Sequence, residues 1–166
     1  DEDLAAALYE ATQAVLEGAG FQAYEVSNHA RDVAARSSHN LHVWRGGDYL
    51  GLGPGAHGRL TLTGERTATV AHRRIPDYVA GVAAGTPWVE QETLDPQGAA
   101  EELVLLGLRT VEGVSLTTLQ ILSLSDQTAP LADLLADGFL TLTQGRVAAT
   151  ASGRPVLDAV LRTLLT

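Results

Sequence analysis

The chain contains no cysteine, no lysine and no methionine. Without cysteine there is no disulfide framework, and no thiolate to hold zinc or an iron–sulfur cluster. Without lysine, all cationic work falls to arginine. Without methionine, and with Asp1 opening inside a helical pattern, neither a starting Met nor a leader is seen, so the sequence reads as a fragment whose N-terminal part lies elsewhere. Positive charge is scarce as well, with 11 basic residues against 20 acidic ones and a net charge of −9. Nonspecific binding of nucleic acid relies on a basic face that neutralises phosphates, and this balance argues against a polyanionic partner. The adjacent Arg73 and Arg74 read as solvated surface. No apolar run approaches the roughly 20 residues that span a bilayer, and nothing resembles a signal peptide. What is present, 45% hydrophobic and 19% charged residues, is the composition of a globular protein. A length of 166 residues suffices for one ordinary domain, or for the end of one plus a small second.

Residues 3–19 carry Leu4, Leu8, Ala11, Val15 and Leu16 at the spacings of one helical face. Gly18 and Gly20 end the helix, and Phe21–Val26 reads as a strand entered directly from it. Helix, glycine turn and strand form the αβ half of a parallel unit whose preceding partners are missing. Residues 27–48 are polar and irregular. Tyr49–Gly58 reads as a short buried strand running into a glycine-rich loop. Arg59–Ala71 predicts a hairpin around Thr63-Gly64-Glu65, Ile75–Ala84 a helix, and Trp88–Leu94 an extended connector. From Asp95 the character changes. Helices are predicted from Asp95-Pro96 to about Thr110, over Leu116–Leu122 and over Pro130–Ala136. A hairpin of 139–143 and 146–150 follows, then a closing helix from Thr150 or Ser152 with Val156, Val160, Leu161 and Leu164 inward. Helices, a β wing and a closing helix describe a winged-helix-like module, with the boundary near residue 95. From Asp95 onward eight acidic residues face four arginines, and the second and third helices of this part carry no basic residue. Such a recognition helix has little to offer phosphate or guanine, so duplex DNA is not an expected partner.

The most distinctive stretch holds three motifs in order: Tyr24-Glu25-Val26-Ser27-Asn28, His39-Asn40-Leu41-His42-Val43-Trp44, and Tyr49-Leu50-Gly51-Leu52-Gly53-Pro54-Gly55-Ala56-His57. Here the chain resembles the HemW-type haem chaperones of the radical-SAM superfamily, which also contains the oxygen-independent coproporphyrinogen III oxidases. Those sequences carry a Tyr-Glu-Ile/Val-Ser-Asn strand, an H-N-x-x-Y-W motif and a Y-x-G-x-G-P-x-A-H loop. Val43 stands where the family has Tyr, and it lacks the hydroxyl that could reach a porphyrin propionate.

The resemblance covers nearly the whole chain. It implies an α/β plus α+β protein, with residues 1–94 as the C-terminal end of a partial (β/α) barrel and residues 95–166 as the winged-helix-like accessory domain. It further implies haem contact at His39, Asn40, His42 and Trp44. Gly53, Gly55, Ala56 and His57 would lie near S-adenosylmethionine, at the barrel mouth where such ligands sit. The [4Fe–4S] cluster of the intact protein would be held by a C-x-x-x-C-x-x-C loop outside this cysteine-free chain, which alone should be inactive. The implied setting is the cytoplasm, and the implied partners are haem or porphyrin and the missing N-terminal radical-SAM segment. That segment, another partner or a second copy in a homodimer would cover the open edge of the barrel. The implied function is haem binding and transfer. The rivals are oxidative decarboxylation of porphyrinogen propionates and a non-catalytic interaction module. The H-N-x-x-x-W core favours the chaperone.

The residues themselves allow two readings at each point. Neutral imidazole is a common axial ligand of haem iron, and Trp offers a flat face to a macrocycle. His39 and His42, three apart, share a face on a helical turn. Equally, His39 could bond backbone in an irregular loop while Trp44 anchors that loop to the core. The glycine run lets backbone approach a ligand, or makes a tight turn that His57 stabilises. Glu25 and Asn28 would face the same mouth. Glu25 there could be an acid/base group, though pairing with Arg31 or Arg36 is the preferred reading. His39, His42 and His57 with Asp48 do not have diagnostic zinc spacing. No G-x-S-x-G elbow, H-E-x-x-H helix or P-loop is present.

Overall fold

Residues 2–166 are described by the structure, a computed structural model. Helix α1 (Glu2–Gly18) turns at Gly20, whose φ of +81° is left-handed and suits glycine. The strand expected at 21–26 is much shorter. β1 (Gln22–Ala23) pairs antiparallel with β2 (His29–Ala30), because the Tyr24 amide donates to the Asn28 carbonyl at 3.1 Å and closes a hairpin. Glu25 leaves that hairpin to bridge Thr110. The strand expected to open the stretch Tyr49–Gly58 does not form. Tyr49 instead exchanges both backbone hydrogen bonds with Arg59, at 2.7 and 2.9 Å.

The segment expected to be irregular also has structure. A 3₁₀ turn (Val33–Ala35) is capped by Asp32, and helix α2 (Ser38–Trp44) is capped by the Ser37 hydroxyl, which accepts from the Asn40 amide at 3.2 Å. Beyond it lies an antiparallel sheet of β3 (His57–Leu62), β4 (Glu65–Ala71) and β5 (Trp88–Thr93), in that order. Thr63 and Gly64 both have positive φ, the two-residue type I′ geometry that matches strand twist. Helix α3 (Ile75–Ala84) crosses between β4 and β5.

The remainder comprises α4 (Pro96–Gly107), β6 (Val114–Ser115), α5 (Leu116–Ile121), α6 (Leu131–Ala136), β7 (Leu140–Thr143), β8 (Arg146–Ala149) and α7 (Leu157–Leu165). Its sheet has the order β6-β8-β7. Asp95 caps α4 by accepting from the Gly98 amide at 2.7 Å, and Ser115 caps α5. Helix α4 ends earlier than expected, since Thr110 turns its hydroxyl back to the Gly107 carbonyl and its backbone to Glu25. Helix α7 also starts later than expected. Thr150 is spent on a turn, accepting from the Gly153 amide at 3.0 Å, and Pro155 sits in a 3₁₀ turn before Leu157.

The main core lies in this second part. Val104, Leu108, Leu119, Leu131 and Val147 are each under 2% exposed. Before residue 95 the buried apolar cluster is small, namely Tyr24, Ala30 and Leu41 with Val111 against it. Leu4, Leu8 and Val15 of α1, expected on an inward stripe, lie open to solvent, as do Ile75, Val79 and Val82 of α3. Residues 2–94 thus form no closed core of their own. They are tied onward by charge: the Glu102 carboxylate on α4 accepts from Arg59 Nε at 2.5 Å and from Arg66 Nε at 2.9 Å.

Candidate functional site around helix α2

Two of the three sequence motifs meet at α2, Tyr24 of the first and residues 39–44 of the second. The buried Tyr24 hydroxyl accepts from the Ser37 amide at 3.1 Å, which fixes the entry to the helix. Leu41 is buried and anchors its inner face. At the other end the His42 Nε2 lies 2.7 Å from the Asp48 carbonyl. The ring packs so closely on Gly47 that a Cβ there would fall 2.3 Å from it. Asp48 also accepts from the amide and hydroxyl of Thr61, at 2.7 and 2.8 Å. Those bonds, first the amide and then the hydroxyl, hold its carboxyl below the ordinary carboxylate range.

The motif side chains do not all gather. At 3.6 residues per turn, His39 and Trp44 point about 140° apart around the helix. Trp44 is half-buried against Leu103, Gly107 and Thr110 of α4 and its following turn, in a cleft of about 330 Å³. Its indole Nε1 is buried without a hydrogen-bond partner, and the Arg109 guanidinium stands 6.0 Å from the ring centre. Its aromatic face therefore lies toward α4 and not beside His39. Asn40 is half-buried, with its amide used in the cap. His39 is exposed, and its ring makes no hydrogen bond to a described residue. His42 is exposed but tethered, and with its Nε2–H donated to a carbonyl the open ring nitrogen is Nδ1.

A second groove, of about 430 Å³, runs along the other side of α2 and is lined by Val33, Arg36, Leu41, His42 and Arg45. Arg45 forms its far wall. Its Nε and Nη2 donate to the two oxygens of Glu112 at 2.8 and 2.6 Å, a bidentate pair. Arg146 donates to the carbonyls of Glu112 and Gly113, each at 2.6 Å. The Arg45 hydrogen bonds lead in holding the Glu112 carboxyl below its ordinary range, aided by the charges of Arg146 and Arg36. Sequence reasoning missed this group because its members, at 36, 45, 112 and 146, share no local pattern.

The glycine loop leans on the sheet. A Cβ on Gly51 would strike the His57 carbonyl at 2.2 Å, and one on Gly58 the Thr69 hydroxyl at 2.6 Å. The Gly53 amide donates to the Tyr78 hydroxyl at 3.1 Å and the Gly55 amide to the His72 carbonyl at 2.9 Å. Ala56 is half-buried, and the exposed His57 opens β3 opposite Val70. Among the described residues no three His, Asp or Glu side chains gather as a metal site.

Glu25 corrects the preferred expectation. It pairs with neither Arg31 nor Arg36, because Arg31 stacks on Phe21 at 4.6 Å and Arg36 on Tyr24 at 5.7 Å. Glu25 is 2% exposed, takes a 3.4 Å bond from the Ser27 hydroxyl at Oε1, and has Oε2 buried without a partner. Asn28 is half-buried at the hairpin turn, where its carbonyl closes the loop.

The mixed α/β fold matches a solved structure. Coproporphyrinogen III oxidase (HemN) from Escherichia coli, described as a radical SAM enzyme, superposes with a TM-score of 0.65 over 95% of this chain and 40% of that one, at 20% identity. The family described as HemN C-terminal domain matches residues 94–156. Heme chaperone HemW of Mycobacterium tuberculosis (strain ATCC 25618 / H37Rv) is 39% identical over 167 residues, covering 99% of this chain and 40% of that protein. The mitochondrial radical S-adenosyl methionine domain-containing protein 1 of Mus musculus is 37% identical over 188 residues, again 99% of this chain and 40% of that protein. The chain belongs to the HemW- and HemN-like radical-SAM family. It spans about 40% of the length of the curated relatives it matches. No described helix is long and apolar enough to cross a membrane.

Proposed function

We propose that this chain serves haem binding and transfer in a radical-SAM-superfamily haem chaperone, with His39 on α2 as the axial ligand. The observation that carries this reading is His39 itself: an exposed imidazole, without a hydrogen bond to any described residue, on a short helix capped at Ser37 and latched at Asp48. A ring nitrogen with a free lone pair on a fixed helix is what an axial ligand requires. His42 then acts as the latch, since its Nε2 is already committed. Trp44 and Asn40 hold the helix against α4 and at its cap, supporting the ligand from behind.

The rest of the reading follows the family. Residues 1–94 belong to the end of a partial barrel and residues 95–166 to a winged-helix-like accessory domain. Gly53, Gly55, Ala56 and His57 lie near S-adenosylmethionine in the cytoplasmic protein. With the amides of Gly53 and Gly55 spent internally, this loop would offer a side-chain-free surface and not hydrogen-bond donors. The likeness to HemN favours coproporphyrinogen III oxidation as the second reading, one that needs cluster ligands this cysteine-free chain does not supply.

Titration with haemin followed at the Soret band tests the proposal. The parent should shift the band, His39→Ala should abolish the shift with an unchanged far-UV spectrum, and Val43→Tyr should strengthen binding. A His39→Ala titration identical to the parent's moves the ligand to His42, and an unchanged double variant leaves α2 as structure alone.

A further inference from the structure

The helix proposed to hold haem stands beside an unusual concentration of charge in an acidic chain. Three of the arginines, Arg36, Arg45 and Arg146, lie around Glu112: Arg45 bonds its carboxylate, Arg146 bonds its backbone carbonyl, and Arg36 lines the same groove as Arg45. Arg36 and Arg45 line the same groove as His42, while Arg45, Glu112 and Arg146 line the neighbouring cleft with Trp44, so Arg45 is the wall between the two. Asp48, the acid linked to the latch of α2, is already engaged by the amide and hydroxyl of Thr61 and faces Arg66 at 3.5 Å. Asp32 is spent capping the 3₁₀ turn. Among the described residues Glu112 is the one carboxylate bonded to these arginines, and only Arg45 bonds it; Arg36 and Arg146 have no carboxylate at ion-pair distance. Each guanidinium has five donors in a planar fork suited to a carboxylate. Arg45 uses two of its donors on Glu112, and its side chain is still 56% exposed. Arg36, stacked on Tyr24, makes no ion pair among the described residues.

We propose that Arg36 and Arg45, backed by Arg146, form the carboxylate-receiving edge of the α2 groove and take the propionates of a tetrapyrrole. This inference rests on the haem reading and names the groups that select the cargo. The apolar lining of the groove, the buried Leu41 with the exposed Val33 at its rim, suits the macrocycle edge. Glu112 is a resident competitor: it keeps Arg45 extended and ordered while the groove is empty, and it must share that arginine when a propionate arrives. Val43, lacking the hydroxyl of its family counterparts, leaves this recognition to the arginines.

The test compares haemin with its dimethyl ester, whose propionates carry no charge, by Soret titration of the full-length protein. The parent should prefer haemin by about tenfold or more, the scale of losing charge-assisted hydrogen bonds. The Arg36→Gln/Arg45→Gln variant should lose that preference and bind both ligands alike. Glu112→Gln moves the other way: with the competitor neutralised, haemin should bind about threefold tighter and the ester unchanged. A structural role for the cluster predicts weaker binding of both ligands in all variants. If the double variant keeps the parent's preference while the band shift still depends on His39, the propionate assignment is overturned and the haem reading stands. If Glu112→Gln weakens haemin, the assignment is likewise overturned. If the parent shows no Soret shift, both readings fall together.

Discussion

Removing the Glu102 carboxylate should loosen the whole β3-β4-β5 sheet from α4. Glu102 receives Arg59 Nε and Arg66 Nε at once. The three side chains are 17%, 21% and 11% exposed, so screening by water is weak but not absent. Breaking a fully buried ion pair from one side costs about 3–5 kcal/mol, because the stranded charge stays behind. Here two guanidinium groups are stranded, yet both retain other bonds, Arg59 to the Gly58 carbonyl and Arg66 to the Gly46 carbonyl. The expected loss for Glu102→Ala is about 3 kcal/mol, at the lower end of that range. A chain of this size loses about 2–4 °C per kcal/mol, so the midpoint should fall by ~9 °C. Urea denaturation of parent, Glu102→Ala and Glu102→Gln would measure it, with the amide variant about half as costly because one acceptor survives. Hydrogen exchange should quicken in β3 and β4 before the α5–α7 core. A loss under about 1 kcal/mol for Glu102→Ala, or uniform exchange across both parts, would refute the view that this carboxylate is the main fastening between them.

Three further outcomes are expected. Leu119, fully buried in the core, should cost about 3 kcal/mol when cut to Ala, read from urea midpoints. Trp44→Phe should cost under about 1 kcal/mol, because the indole N–H it removes is buried without a partner, whereas Trp44→Ala should cost several times more; calorimetry separates them. Asp48 and Glu112 have folded values below their ordinary 3.8 and 4.5, so the stability they contribute is complete above that range and is lost as pH falls through the depressed values; denaturation at pH 6 and pH 3 should show this, and Glu112→Gln should reduce the difference.

Much of the second part was legible because its signals are local. Asp95 and Ser115 announce their helices, and Gln144-Gly145 sets a two-residue hairpin whose positive φ values the structure displays. The closing helix was legible in Val160, Leu161 and Leu164 of its inner face, but not in Val156, which is 42% exposed, nor in its start, which Pro155 and the Thr150 turn displace. In the first part the signals misled. Leu4, Leu8 and Val15 repeat with helical spacing, and α1 does form, yet nothing in the described chain covers them. Helix α2 is only seven residues long, too short for periodicity to register, and is held by the Ser37 cap, Leu41 and the Asp48 latch. Of the candidate site, the motif residues could be named from order and spacing. The partners that decide their roles could not, because Tyr24 to Ser37, His42 to Asp48 and Arg45 to Glu112 are meetings that only the folded chain makes.

Asp48 gives the region a mechanical character. Its carbonyl is pinned by the imidazole at the end of α2, while its carboxylate is pinned by Thr61 on β3 and faces Arg66, which in turn grips Gly46 and Glu102. One residue is thus the axle between helix and sheet. A load placed on α2, such as a bulky plane drawn against its outer side, is not absorbed locally by a slack loop. The first contacts beyond Asp48 are Thr61 on β3 and Arg66 on β4, whose guanidinium reaches Glu102 on α4.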